Sequence, residues 1–181
     1  MKTVCIPLAN GFEEIEAVSL IDVLRRADVN VITIGVSGKI IEGGHNIKME
    51  TDMSVDDVSS DKIDMILLPG GLGGTHALMK DGRIQKLIKE MDAKNKLIGA
   101  ICAAPMALDT AGVLKNKFTC YPGIEGNIKS KGHTNDQKVV VDGNIMTSQG
   151  PATAMIFALE IVKKLCGEEK YNELNSSLLM G

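Results

Sequence analysis

Short runs in which nearly every position is apolar alternate along this chain with longer segments whose apolar residues recur every three or four positions. Thr3–Leu8 (TVCIPL) is the first such run and predicts a strand buried on both faces. Asn10-Gly11 ends it, and Glu13–Ala27 follows with Ala17, Leu20, Ile21 and Leu24 at helical spacing. Val29–Val36 (VNVITIGV) is rich in β-branched residues and predicts a second strand. Lys39–Glu42 and Ile47–Thr51 predict a short hairpin around Gly43-Gly44. Ile63–Leu68 predicts a central strand running into the glycine loop Pro69–Gly74, and Gly82–Ala93 an amphipathic helix. Leu97–Ile101 predicts another buried strand, and Ala104–Ala111 the helix after it. Lys138–Val141 and Asn144–Thr147 read as a hairpin turned by Asp142-Gly143. Pro151 opens a long helix to about Leu165, and a last helix starts near Glu168.

Strand and helix in alternation imply an α/β sandwich around a mostly parallel sheet. No repeat or linker interrupts the 181 residues, which are expected to form one domain, 1–181. In such sheets ligands bind beyond the carboxyl ends of the strands. That rule singles out three loops, Ala9–Phe12, Pro69–Gly74 and Cys102–Pro105.

Composition narrows the function further. Net charge is −3 and aromatics are 3% of the chain with no Trp, so neither a basic footprint nor a base-stacking surface points to nucleic acid. No uncharged apolar stretch reaches membrane-spanning length, and the first residues do not read as a signal peptide. The expected setting is therefore the cytoplasm, with free thiols. Cys5, Cys102, Cys120 and Cys166 form no CxxC pair, so no zinc site or other metal is expected. Cys5 and Cys166 read as core residues. LPGGLGG lacks the Gly-x-Gly-x-x-Gly spacing of a dinucleotide site, and no cofactor is expected.

Two residues stand out for chemistry. Cys102 sits where a strand ends and a helix begins, and unpaired amides there favour a thiolate and lower its pKa. On a helical wheel of 13–27, Glu16 projects between Val23 and Ala27, inside the apolar arc. A carboxylate there needs a hydrogen bond or a proton. Glu14 lies at the far edge of the arc and is expected to be solvated. Ile15 and Val18 fall outside the arc, which suggests a second apolar contact. The glycines after Leu68 are suited to bringing a backbone N–H close to a ligand, and such a group together with the amide of Ala103 forms an oxyanion pocket.

The stretches GFEEIEAV (11–18), IDVLRRA (21–27), LPGGLGG (68–74), AICAAP (100–105) and TSQGPATAMIFALEIV (147–162) make the chain resemble the DJ-1/PfpI (ThiJ) superfamily, in its DJ-1 branch. The resemblance implies a flavodoxin-like three-layer sandwich and a homodimer. It puts Cys102 at the reactive cysteine and Glu16 at its hydrogen-bonding glutamate. Gly71 and Ala103 take the anion-pocket amides, and Gly150 and Pro151 a segment that often reaches the partner subunit's site. It further implies a small aldehyde or glycated substrate, with glyoxalase or deglycase chemistry. The rival is an oxidative-stress sensor or chaperone acting through Cys102 oxidation. A PfpI-type peptidase fits less well, because that branch carries a histidine where this chain has Ala103. The His133-Thr134-Asn135 stretch likewise lacks the acid of an amidotransferase His-x-Glu pair. In TCYPG (119–123), Tyr121 stands where some relatives have a histidine, which removes a neutral-pH base.

Overall fold

The computed structural model describes residues 1–180. Its main sheet has seven strands. They are β1 (Thr3–Leu8), β2 (Asn30–Gly35), β5 (Met53–Ser54), β6 (Met65–Leu68), β7 (Leu97–Ile101), β8 (Val139–Asp142) and β9 (Ile145–Ser148). A separate hairpin pairs β3 (Ile40–Glu42) with β4 (Lys48–Glu50). The sheet order is β5-β2-β1-β6-β7-β9-β8, with every pairing parallel except β8 with β9. The helices are α1 (Glu14–Arg26), α2 (Leu72–Lys80), α3 (Gly82–Ala93), α4 (Pro105–Ala111), α5 (Ala154–Cys166) and α6 (Glu168–Ser177).

Alternation along the strands makes the three layers. Val4, Ile6 and Leu8 of β1 and Met65 and Leu67 of β6 face α1, α5 and α6 in one core. Cys5, Ile66 and Leu68 point the other way and pack with α2, α3 and α4 in a second core. A parallel sheet covered on both faces is the α/β sandwich expected from the sequence pattern.

The departures have local causes. Helix α2 begins at Leu72, inside the stretch read as loop, although Gly73 and Gly74 are poor helix formers. Packing overrides propensity there: a Cβ on Gly74 would lie 2.9 Å from the Phe12 nitrogen, so only glycine lets the helix start against the β1–α1 loop. The two-residue edge strand β5 was too short to register as a pattern. Pro151 opens a 3-10 turn, Pro151–Thr153, that leads into α5. Cys166, expected in the core, is exposed because it ends α5 where the helix leaves the interior. Between α4 and β8 the chain runs irregularly around a 3-10 turn at Ile124–Asn127. This segment carries Cys120 and Tyr121 over the carboxyl edge of the sheet.

Candidate active site

Cys102 follows β7 directly and has φ +64°, the left-handed region that side chains avoid. Holding a non-glycine residue there costs roughly 1–2 kcal/mol. Two backbone hydrogen bonds fix it. The Cys102 N–H donates to the Ser148 carbonyl at 3.0 Å, and the Tyr121 N–H donates to the Cys102 carbonyl at 2.9 Å. The sharp turn leaves the side chain half-buried at the end of the sheet.

Glu16 reaches the same place from α1 and is 0% exposed. Its Oε2 accepts the Gly70 N–H at 2.7 Å, while Oε1 is buried with no hydrogen-bond partner. Gly70 is where the two side chains converge. A Cβ built on it would lie 2.6 Å from the Cys102 Cβ and 2.7 Å from Glu16 Oε2. In the sequence this glycine is one of several in LPGGLGG, with nothing to single it out. Only the three-dimensional crossing of β6, α1 and β7 reveals that a side chain here would separate thiol from carboxyl.

The backbone N–H groups of Gly71 and Ala103 both face the Cys102 sulfur. Gly71 has φ +85°, and a Cβ there would collide with the Gly11 carbonyl, so its N–H is aimed by a turn open only to glycine.

Burial pushes the Glu16 carboxyl from 4.5 up to about 7, against the Gly70 hydrogen bond. Cys102 departs from expectation. Burial first, then the charge of Glu16, push its thiol up to about 12, and the amides of Gly71 and Ala103 pull down without prevailing. The amides at the strand-to-helix junction lower the thiol by less than burial and the neighbouring carboxylate raise it. The two groups behave as one coupled acid. Above neutral pH they hold a single proton, and when that proton sits on the carboxyl, Glu16 turns from a repelling charge into a donor toward sulfur.

Tyr121 is 48% exposed, and its ring lies over Gly150, where a Cβ would meet ring carbon Cδ2 at 3.1 Å. Tyr121, Gly150 and Pro151 line one cleft of about 180 Å³ together with Gln149. These three residues thus share a wall, joined to Cys102 through the Tyr121 N–H. No histidine is among the groups acting on the thiol. His76 is exposed on α2.

Glu14 corrects a second expectation. It is 5% exposed rather than solvated, because the β3–β4 hairpin folds over the first turn of α1. Its Oε1 accepts the His45 N–H at 2.6 Å, and its Oε2 lies 2.9 Å from His45 Nδ1. The Gly44 N–H donates to the Phe12 carbonyl at 2.8 Å, and a side chain on Gly43 would strike the Glu14 carboxyl. A helical wheel drawn for one helix cannot register a cover supplied by another element. The signal available in sequence was the Gly43-Gly44-His45 run itself.

Comparison with known proteins agrees with this architecture. The DJ-1/PfpI family profile matches residues 2–164. Protein dj-1beta of Drosophila melanogaster is 38% identical over 182 residues, covering 99% of this chain and 97% of the relative. Its crystal structure superposes with a TM-score of 0.95 at 39% identity, covering 98% of this chain and 97% of that one. A Schizosaccharomyces pombe protein named glutathione-independent glyoxalase DJ-1 is 30% identical over 190 residues, covering 99% of this chain and 100% of the relative.

Proposed function

The chain belongs to the DJ-1/PfpI family, and from that premise we propose that it converts reactive 2-oxoaldehydes into 2-hydroxy acids through Cys102 and Glu16, without glutathione. One observation carries the reading: thiol and carboxyl meet across Gly70, with the N–H groups of Gly71 and Ala103 turned toward the sulfur. The S. pombe relative's name points to the same chemistry.

With methylglyoxal as substrate, the Cys102 sulfur adds to the aldehyde carbon, and the carbonyl oxygen takes up the pair's proton. The amides of Gly71 and Ala103 hold the oxygen while it is negative. The product is a hemithioacetal, and Glu16 is left ionised. The carboxylate then removes the proton from the former aldehyde carbon, giving an enediolate; the hydroxyl proton passes to the former ketone oxygen, and Glu16 returns its proton to the neighbouring carbon. The aldehyde carbon has become a thioester and the ketone carbon an alcohol, so oxidation and reduction balance within the substrate. Water cleaves the thioester, releasing lactate and restoring the thiol. A carboxyl that titrates near 7 suits a group that donates in one step and accepts in the next. Removal of methylglyoxal adducts from amines or thiols begins with the same attack on the same carbon, which makes deglycation a variant of this reading.

The test is lactate formation from methylglyoxal in thiol-free buffer. Turnover that disappears in Cys102→Ser while the fold is retained supports the reading, and turnover that survives overturns it.

A second reading uses the same atoms. Peroxide oxidises the thiolate to sulfenate and then sulfinate, each step releasing water. The two N–H groups and the Glu16 carboxyl, when protonated, can donate to the added oxygens. Selective addition of two oxygens at Cys102 under mild peroxide, without lactate formation, favours this sensor role. We further read the chain as one functional domain and place a second copy against Ile15 and Val18, which are 59% and 49% exposed on α1. Light scattering tests that dimer. Four free thiols suit a reducing cytoplasm. No helix among the described residues is long and apolar enough to cross a membrane.

A further inference from the structure

The irregular segment between α4 and β8 brings together three donors far apart in sequence. Cys120 is 0% exposed in a small core with Phe118, Met106 and Ile128. Glu125 comes from the 3-10 turn, and its backbone N–H faces the Cys120 sulfur. Its carboxylate is steadied by the Gly123 N–H, which donates to Oε2 at 2.7 Å. His133 arrives from the far end of the segment and is locked beside Phe118. The Phe118 N–H donates to the Gly132 carbonyl at 3.1 Å, the Thr134 N–H to the Phe118 carbonyl at 2.9 Å, and the two rings lie 5.6 Å apart. The Cys120 sulfur, a Glu125 carboxylate oxygen and a His133 ring nitrogen all fall within 4.8 Å of one another.

Packing alone explains a buried cysteine, and it explains an imidazole against a phenyl ring. It does not explain a carboxylate oxygen held within 4.8 Å of both a buried sulfur and a ring nitrogen. His133 Nε2, moreover, is buried with no hydrogen-bond partner. One change removes these conflicts together: a cation among the three donors.

We propose that Cys120, Glu125 and His133 form a binding site for a zinc-class divalent ion. Thiolate, imidazole and carboxylate are the donors this ion prefers, and three of them leave the fourth tetrahedral position to water. Tetrahedral ligands at zinc bond lengths stand about 3.5 Å apart, so donors within 4.8 Å of one another close in by about 1.3 Å at most. Binding releases the Cys120 proton to solvent, while the imidazole binds neutral and the carboxylate ionised. His133 also lines a surface cleft of about 440 Å³ with Lys117, Thr134 and Asp136, which offers an entry path. The absence of CxxC or His-rich spacing spoke against zinc in the sequence, but the donors are assembled by the fold rather than by one local motif. The ion would fasten the turn at 124–127 to the segment that carries Tyr121, whose N–H holds the Cys102 carbonyl.

The test is a Zn²⁺ titration of the full metal-free chain in competition with a chromophoric chelator, in a Cys102→Ser background that removes the half-buried thiol of the active site. One equivalent is expected to bind, with affinity falling at least tenfold on adding Cys120→Ser. His133→Gln, at a half-buried position, gives the same loss while leaving the Cys120 side chain in place. His45→Ala controls for the Glu13–Glu14–His45 cluster and should leave affinity unchanged. Co²⁺ should show a thiolate charge-transfer band that Cys120→Ser abolishes. No binding, affinity indifferent to both Cys120→Ser and His133→Gln, or affinity lost with His45→Ala would overturn the proposal.

Discussion

Glu16→Gln tests the electrostatics of the site independently of its chemistry. The folded protein holds the Glu16 carboxyl at about 7 against 4.5 in an unperturbed chain, mainly because it is buried. At about 1.4 kcal/mol per pH unit, that rise corresponds to about 3 kcal/mol. The direction follows from proton counts. Between the two values the folded state binds more protons at this position than the unfolded state, so stability falls as pH rises. The penalty is absent below 4.5 and complete above 7. Glutamine mimics the protonated acid: its carbonyl oxygen can keep the Gly70 N–H, and it has no charge to bury. The assay is urea unfolding at about pH 5 and about pH 8, read as the difference between wild type and Glu16→Gln at each pH. This double difference cancels every other titrating group. Both proteins carry Cys102→Ala, which removes the coupled thiol and leaves burial as the cause. The wild-type side chain should lose about 2.5 kcal/mol relative to glutamine between the two pH values, part of the penalty being present already at pH 5. Parallel curves, or a loss in the opposite direction, would show that Glu16 is ionised at no cost, and the account of a tuned acid would fail.

Other outcomes follow from the same geometry. With Cys102 present, Glu16→Gln should lower the pH at which iodoacetamide reacts half-maximally, because the charge opposing the thiolate is gone. The same substitution should cut lactate formation by roughly 10²–10⁴-fold, the usual loss of a general base, so a more ionised but less productive thiol is the signature. Gly70→Ala sets a methyl group between the two side chains and should cost about 1–3 kcal/mol in unfolding free energy together with most of the turnover; wild-type activity in this variant would mean that the pair need not touch. Cys102→Gly should be more stable to urea than Cys102→Ala by about 1 kcal/mol, since only glycine tolerates φ +64° freely; equal stability would show that the turn relaxes.

What the sequence revealed and what it hid divide along physical lines. Strands buried on both faces announce themselves as unbroken apolar runs, so β1, β6 and β7 were placed by pattern alone, and with them the loops at their carboxyl ends. Glu16 was legible because a carboxylate among Val23 and Ala27 breaks a helical stripe. The charge state of Cys102 was not, because it depends first on burial by surrounding elements and then on Glu16, which lies 86 positions earlier in the chain. The cover over Glu14, the gap supplied by Gly70 and the start of α2 escaped for the same reason. Each is created by one element pressed against another, and glycine records such contacts only as a missing side chain. The meeting of Cys120, Glu125 and His133 was hidden because irregular backbone carries no period from which to extrapolate.

The two backbone bonds of Cys102 have a consequence for how the molecule opens. They tie the turn at 102 to the end of β9 and to the segment carrying Tyr121, so the turn loses its support as soon as either detaches. Partial unfolding that frees the β8–β9 edge releases the strained backbone while the contacts of β1 with β2 and α1 with α5 persist. Alkylation of this one sulfur, followed beside hydrogen exchange at Ser148, thus serves as a built-in gauge of whether the C-terminal edge of the sheet is docked.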